Sequence, residues 1–174
     1  MKGKKVLIFF LLGLVVVMLI DVFMRTRSKM NFEKFVLDNT GIKLNECVIV
    51  SDKNDRNKLN GNGTTLAEFD CSDGKIEIDT KNMKALPLTG DLNGVMYGSL
   101  NNDGVSYHLA QDVGLPEIKT GYYYFLDDYA VKYKDSRDEN SEDMIINKER
   151  KGMNFTLLMY DTETKHFYYY EVDS

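Results

Sequence analysis

The stretch Asn154–Asp173 reads NFTLLMYDTETKHFYYYEVD, two apolar, aromatic runs around a short polar turn. Thr, Phe, Tyr and Val favour a pleated, half-buried surface. The segment Asp161-Thr162-Glu163-Thr164-Lys165 supplies turn chemistry, because an Asp carboxylate bonds its own backbone. The pattern predicts a β-hairpin. Pairing Asp161 with His166 sets Met159 opposite Tyr168, Leu157 opposite Tyr170 and Phe155 opposite Val172, an apolar face throughout. The other face carries Thr156, Leu158, Tyr160, Phe167, Tyr169 and Glu171. Both faces need a cover, and a lone hairpin is marginal in water. Upstream residues must therefore supply more strands and a helix.

A chain of 174 residues predicts one domain plus attachments, and its charge is unevenly placed. Residues 1–30 carry six Lys or Arg and one Asp; the remainder carries 16 Lys or Arg against 26 Asp or Glu. An outer domain this acidic excludes nucleic acid as an expected partner.

Lys2, Lys4 and Lys5 precede the apolar run Val6–Ile20, which continues past Asp21 to Met24. No small-x-small cleavage site follows it, and no Cys lies at its end. This predicts an uncleaved signal anchor over residues 1–29, touching the cytoplasmic membrane through residues 6–24, with a cleaved signal peptide as the alternative. The expected placement is a single-pass protein of the cell membrane, with residues 30–174 as an extracytoplasmic domain.

Ser28 is placed to cap a helix from Lys29 to Asn39, with Phe32, Phe35 and Val36 on its buried face and Gly41 as its stop. Strands are predicted over Glu46–Asp52, Thr64–Cys71 and Tyr122–Asp127. Between the first two, Lys53–Gly63 is a polar loop that lacks the D-x-[DN]-x-[DN]-G order of a calcium site. Ser72–Ala85 fits a strand or an irregular helical turn. Thr89 is expected to cap a short helix Gly90–Gly98 that buries Leu92, Val95 and Met96. Ser99–Thr120 reads mostly as loop and Tyr133–Arg150 as a solvated acidic insertion.

Cys47 and Cys71 are the only cysteines, one in each of the first two strands. Antiparallel pairing about Leu59 sets them opposite each other, so a disulfide is available in an oxidising compartment. Two buried thiols fit the pattern equally well. Cys47, Cys71, His108 and His166 lack the close pair spacings of structural zinc sites, so no metal is expected.

No nucleophile elbow, metalloprotease helix, C-x-x-C or phosphate-binding loop is present, so no catalytic residues and no cofactor are assigned. Asp127 and Asp128 are carboxylates of the kind an acid–base pair needs, but such residues are abundant here. Tyrosine concentrates in two strands, at Tyr122, Tyr123 and Tyr124 and at Tyr168, Tyr169 and Tyr170. Tyrosine suits half-wet interfaces as well as core edges.

The segments MYDTETKHFYYYEVDS, LPEIKTGYYYFLDD and ALPLTGDLNGVMYG resemble a group of small uncharacterised, membrane-anchored or exported proteins of Gram-positive bacteria, over roughly residues 30 to 174. The resemblance implies export and no particular activity. That group has a His- and Gly-containing stretch before its second strand; DRNKLNGNG stands there in this chain.

The expected fold is α+β: one transmembrane helix, then a helix packed on an antiparallel sheet of about four or five strands. Phe32 and Phe35 are expected to cover the Phe155 face. The opposite face, through Tyr160, Phe167 and Tyr169, is then the expected contact surface for a protein or cell-envelope partner. The expected function is a membrane-tethered extracytoplasmic binding or accessory module. The alternatives are a small surface hydrolase using carboxylates and an immunity-like protein.

Overall fold

The computed structural model describes residues 2–44, 46–57, 61–74, 76, 82–98, 101–102, 105–133 and 152–174. The chain runs α1 (Lys2–Thr40), β1 (Val48–Asn54), β2 (Gly63–Asp70), β3 (Lys84–Ala85), α2 (Gly90–Tyr97), β4 (Asn101–Asn102), β5 (Val105–Ser106), α3 (Leu109–Val113), β6 (Gly121–Leu126), α4 (Asp128–Tyr133), β7 (Phe155–Asp161) and β8 (His166–Asp173). The acidic insertion expected after Tyr133 lies outside the described residues.

The fold is α+β. Its main sheet has six strands in the order β1-β2-β8-β7-β6-β3, every pair antiparallel. The sixth strand, β3, is only two residues long and directly precedes Leu86-Pro87, so no local period announces it. The central hairpin pairs Phe155 with Val172, Leu157 with Tyr170 and Met159 with Tyr168, the expected register. Asp161 closes the turn by accepting the Glu163 N–H at 2.8 Å and the Thr164 hydroxyl at 2.8 Å. Gly121 opens β6 at φ +141°, where a Cβ would collide with the Tyr160 carbonyl oxygen of β7. Glycine is therefore required for β6 to approach β7 at that point.

Each sheet face has its own helical cover. Phe155, Leu157, Met159, Tyr168, Tyr170 and Val172 pack against Leu92, Val95 and Met96 of α2, Ala110 of α3, and Leu115 and Ile118. Leu158, Tyr160, Phe167 and Tyr169 pack against Phe32, Phe35 and Val36 of α1 and against Ile42 and Leu44. The assignment of α1 to the Phe155 face is thus corrected. The segment read mostly as loop contains α3, and α2 with α3 forms a layer that takes that face. Gly98 caps α2 in the left-handed region (φ 83°), its N–H on the Gly94 carbonyl at 2.9 Å, and the His108 ring of the α3 N-cap fills the space beside it.

α1 runs unbroken from Lys2 through Ser28, so Ser28 is not a helix start. The expected transmembrane helix is also corrected. Among the described residues no helix is long and apolar enough to cross a membrane, so single-pass membrane localisation is not supported. Asp21 interrupts the apolar residues within this helix. The same helix then carries Arg27 and the pair Lys29–Glu33, whose charges lie 3.4 Å apart.

Candidate functional site

Three places bring together side chains that do more than fill space. The first follows from the sheet register. On the α1 side, cross-strand neighbours form rows: Ala67, Tyr169, Leu158 and Tyr124 in one, then Thr65, Glu171, Thr156 and Leu126 in the next. The first row lies under Phe32 and Phe35, whose rings sit 4.8 and 5.5 Å from that of Tyr169. In the next row the sheet turns polar. The Tyr169 hydroxyl donates to Glu171 at 2.8 Å, and Arg56 forms an ion pair with the same carboxylate. Thr156, nearly fully buried, donates to Asp128 at 2.8 Å. Asp127 caps α4, accepting the N–H groups of Tyr129 and Ala130 at 3.1 and 3.3 Å.

Burial pushes the Asp128 carboxyl up to about 6; the Thr156 hydrogen bond opposes this, and the charges of Glu171 and Asp127 add to it. Burial, together with the charge of Glu171, also raises the Tyr169 phenol. The cluster can hold and release a proton near pH 6. Asp127 and Asp128 were visible in the sequence only as two carboxylates among many. The usable signal was Glu171 and Thr156 facing each other on an otherwise apolar strand face.

The second place joins Glu68, His166 and Tyr168. The His166 Nδ1 lies 2.7 Å from Glu68 Oε1, and the Tyr168 hydroxyl donates to the same oxygen at 3.3 Å. The carboxylate orients the imidazole, as in many catalytic dyads, but among the described residues no serine, cysteine or threonine hydrogen bond accompanies it. The four residues weighed for zinc do not assemble. Cys47 and Cys71 are joined by a disulfide with their Cα atoms 4.4 Å apart, and His108 packs under Gly98. Among the described residues no group of His, Cys, Asp and Glu could hold a metal ion.

The expected contact residues Tyr160, Phe167 and Tyr169 are buried, at 6%, 0% and 5% exposure. They are core beneath α1, not a surface. The exposed apolar surface is instead on α1 itself. Every large apolar side chain from Leu11 to Phe23 is 41–65% exposed. The third place is this strip. A hollow of about 430 Å³ at the β3–β6 edge, bordered by Asn39, Met83, Lys84 and Tyr124, brings no acid–base or nucleophilic group to it beyond lysine and tyrosine.

No protein-family model, no curated protein and no solved structure matches the chain.

Proposed function

We propose that the chain is a non-enzymatic binding or accessory module of an oxidising, extracytoplasmic compartment, engaging its partner through the apolar half of α1. The observation that carries this reading is the unbroken exposure of large apolar side chains from Leu11 to Phe23. A helix that is apolar all round belongs inside something, and exposed patches of this size mark interaction sites. The Cys47–Cys71 disulfide supports the compartment, because such bridges persist where thiols are not kept reduced.

Hydrodynamic mass tests the reading. The full chain is expected in an assembly heavier than its 20.0 kDa. A Leu12→Gln, Val16→Gln, Leu19→Gln variant is expected at the single-chain mass with unchanged circular dichroism. A wild-type chain that runs alone, or whose extra mass is lipid or detergent only, overturns it.

The raised Asp128 carboxyl favours a second reading, a small hydrolase using carboxylates. Turnover of an ester, peptide or glycoside between about pH 5 and 7, lost in Asp128→Asn, would establish it. A silent panel removes it.

A further inference from the structure

We infer that the partner of the exposed half of α1 is a second copy of the same helix, packed parallel along one seam; this rests on the binding reading above. The helical phase supports it. Leu12, Val16, Leu19 and Phe23 follow one another at alternating intervals of four and three residues, the a/d spacing of a two-stranded coiled coil. At about 3.6 residues per turn, this line lies about half a turn round the helix from Phe32 and Val36, which face the sheet. Asp21 falls on the domain side, where it borders a hollow with Ile49, Val50 and Asp52. The seam therefore points away from the body of the protein, and two chains can meet along it without their domains colliding.

The seam also outlasts the apolar run. The next positions of the same series are Thr26 and Met30, among Arg27, Lys29 and Asn31. Met30 is 63% exposed, a large apolar side chain on the outer face of a polar stretch. The Thr26 hydroxyl is already satisfied by the Val22 carbonyl of its own helix at 2.8 Å. General hydrophobicity of the run does not explain Met30, which lies beyond it; a heptad seam does. Leu at 12 and 19 with β-branched Val at 16 is the composition that favours two strands over three or four in a parallel coiled coil.

The area is sufficient. The five apolar seam residues and the flanking Val15, Ile20 and Val22 are 52–64% exposed. At roughly 100 Å² of exposed surface each, they offer on the order of 800 Å² per chain as the upper limit of what pairing can bury, and a specific interface takes about 800 Å² from each partner.

Single cysteines introduced into the full chain test this. Cys47 and Cys71 are bridged and buried, so the new thiol is the only free one. Leu12→Cys, Val16→Cys, Phe23→Cys and Met30→Cys are expected to form same-position dimers on mild oxidation. Val17→Cys and Met18→Cys are expected not to, although Val17 and Met18 are 65% and 62% exposed. Val16→Glu and Met30→Glu, each alone, are expected to raise the dimer Kd about tenfold or more. Equal cross-linking at Val17 and Met18 overturns the seam. Cross-linking at Val16 without Leu12 and Met30 overturns the parallel arrangement. A heavier assembly with no seam cross-links overturns self-pairing while leaving the binding reading intact; a lone chain removes both.

Discussion

The two faces of the sheet differ in how they are closed. The Phe155 face is apolar along β7 and β8 and is covered by α2 and α3, short helices from the middle of the chain. The Tyr169 face is covered by one long helix from the N-terminal end of the chain, with a disulfide beneath it. Beyond that helix it turns polar at Glu171, Thr156 and Asp128. There the buried polar groups bond one another, because a buried polar group without a partner is costly.

The largest expected effect comes from breaking either core. Phe155→Ala and Phe167→Ala remove rings that are 1% and 0% exposed, on opposite faces. Each is expected to cost about 3–5 kcal/mol in urea unfolding. A small loss for Phe167→Ala alone would mean that α1 covers its face loosely.

The next effect is confined to the Tyr169 face. The disulfide closes a loop with a sequence separation of 24 residues. Its removal in a Cys47→Ala, Cys71→Ala chain is expected to cost about 3 kcal/mol, on a chain-entropy account. Hydrogen exchange should quicken first in β1 and in the part of α1 near Phe32. Equal quickening in α2 would show that the two layers unfold as one unit.

A smaller effect depends on pH. The folded Asp128 carboxyl holds its proton to about pH 6, well above the 3.8 of an ordinary aspartate. Between those values the folded chain binds more proton than the unfolded one. Stability from this group is therefore complete below the lower value and lost as pH rises through the upper one. Asp128→Asn is expected to remove this fall, about 1–3 kcal/mol, from the pH dependence of thermal unfolding. An unchanged profile would show that the carboxyl is not held neutral.

The smallest effect compares the two halves of α1. Val36→Ala, fully buried against the sheet, is expected to lower stability by about 1–3 kcal/mol. Val17→Ala, 65% exposed, is expected to change the stability of the single chain by less than about 0.5 kcal/mol. A large effect of Val17→Ala that grows with protein concentration would place another chain against a face that the seam leaves open.

Much of the local structure was legible. Alternation along Phe155–Asp161 and His166–Asp173 sets the hairpin register, and Gly98 marks the end of α2. β3 was not legible, because a two-residue strand has no period of its own. α3 was hidden too, since five residues are too few for helical spacing to show. The transmembrane reading of the N-terminal run is not supported, since Asp21 and the charges after it belong to the same unbroken helix. The candidate cluster escaped because Arg56, Asp128, Thr156 and Glu171 come from separate elements and meet only across the sheet.

By itself the sequence determined which side chains share a face of each strand, because alternation is a property of the extended backbone. It also determined that both faces of the central hairpin had to be covered, because both are apolar. Which helix covers which face was decided only by the tertiary structure. Two apolar faces of one hairpin are equivalent in any local pattern, and only packing against helices distant in sequence tells them apart. That packing made Tyr160, Phe167 and Tyr169 core and left Leu11 to Phe23 outside.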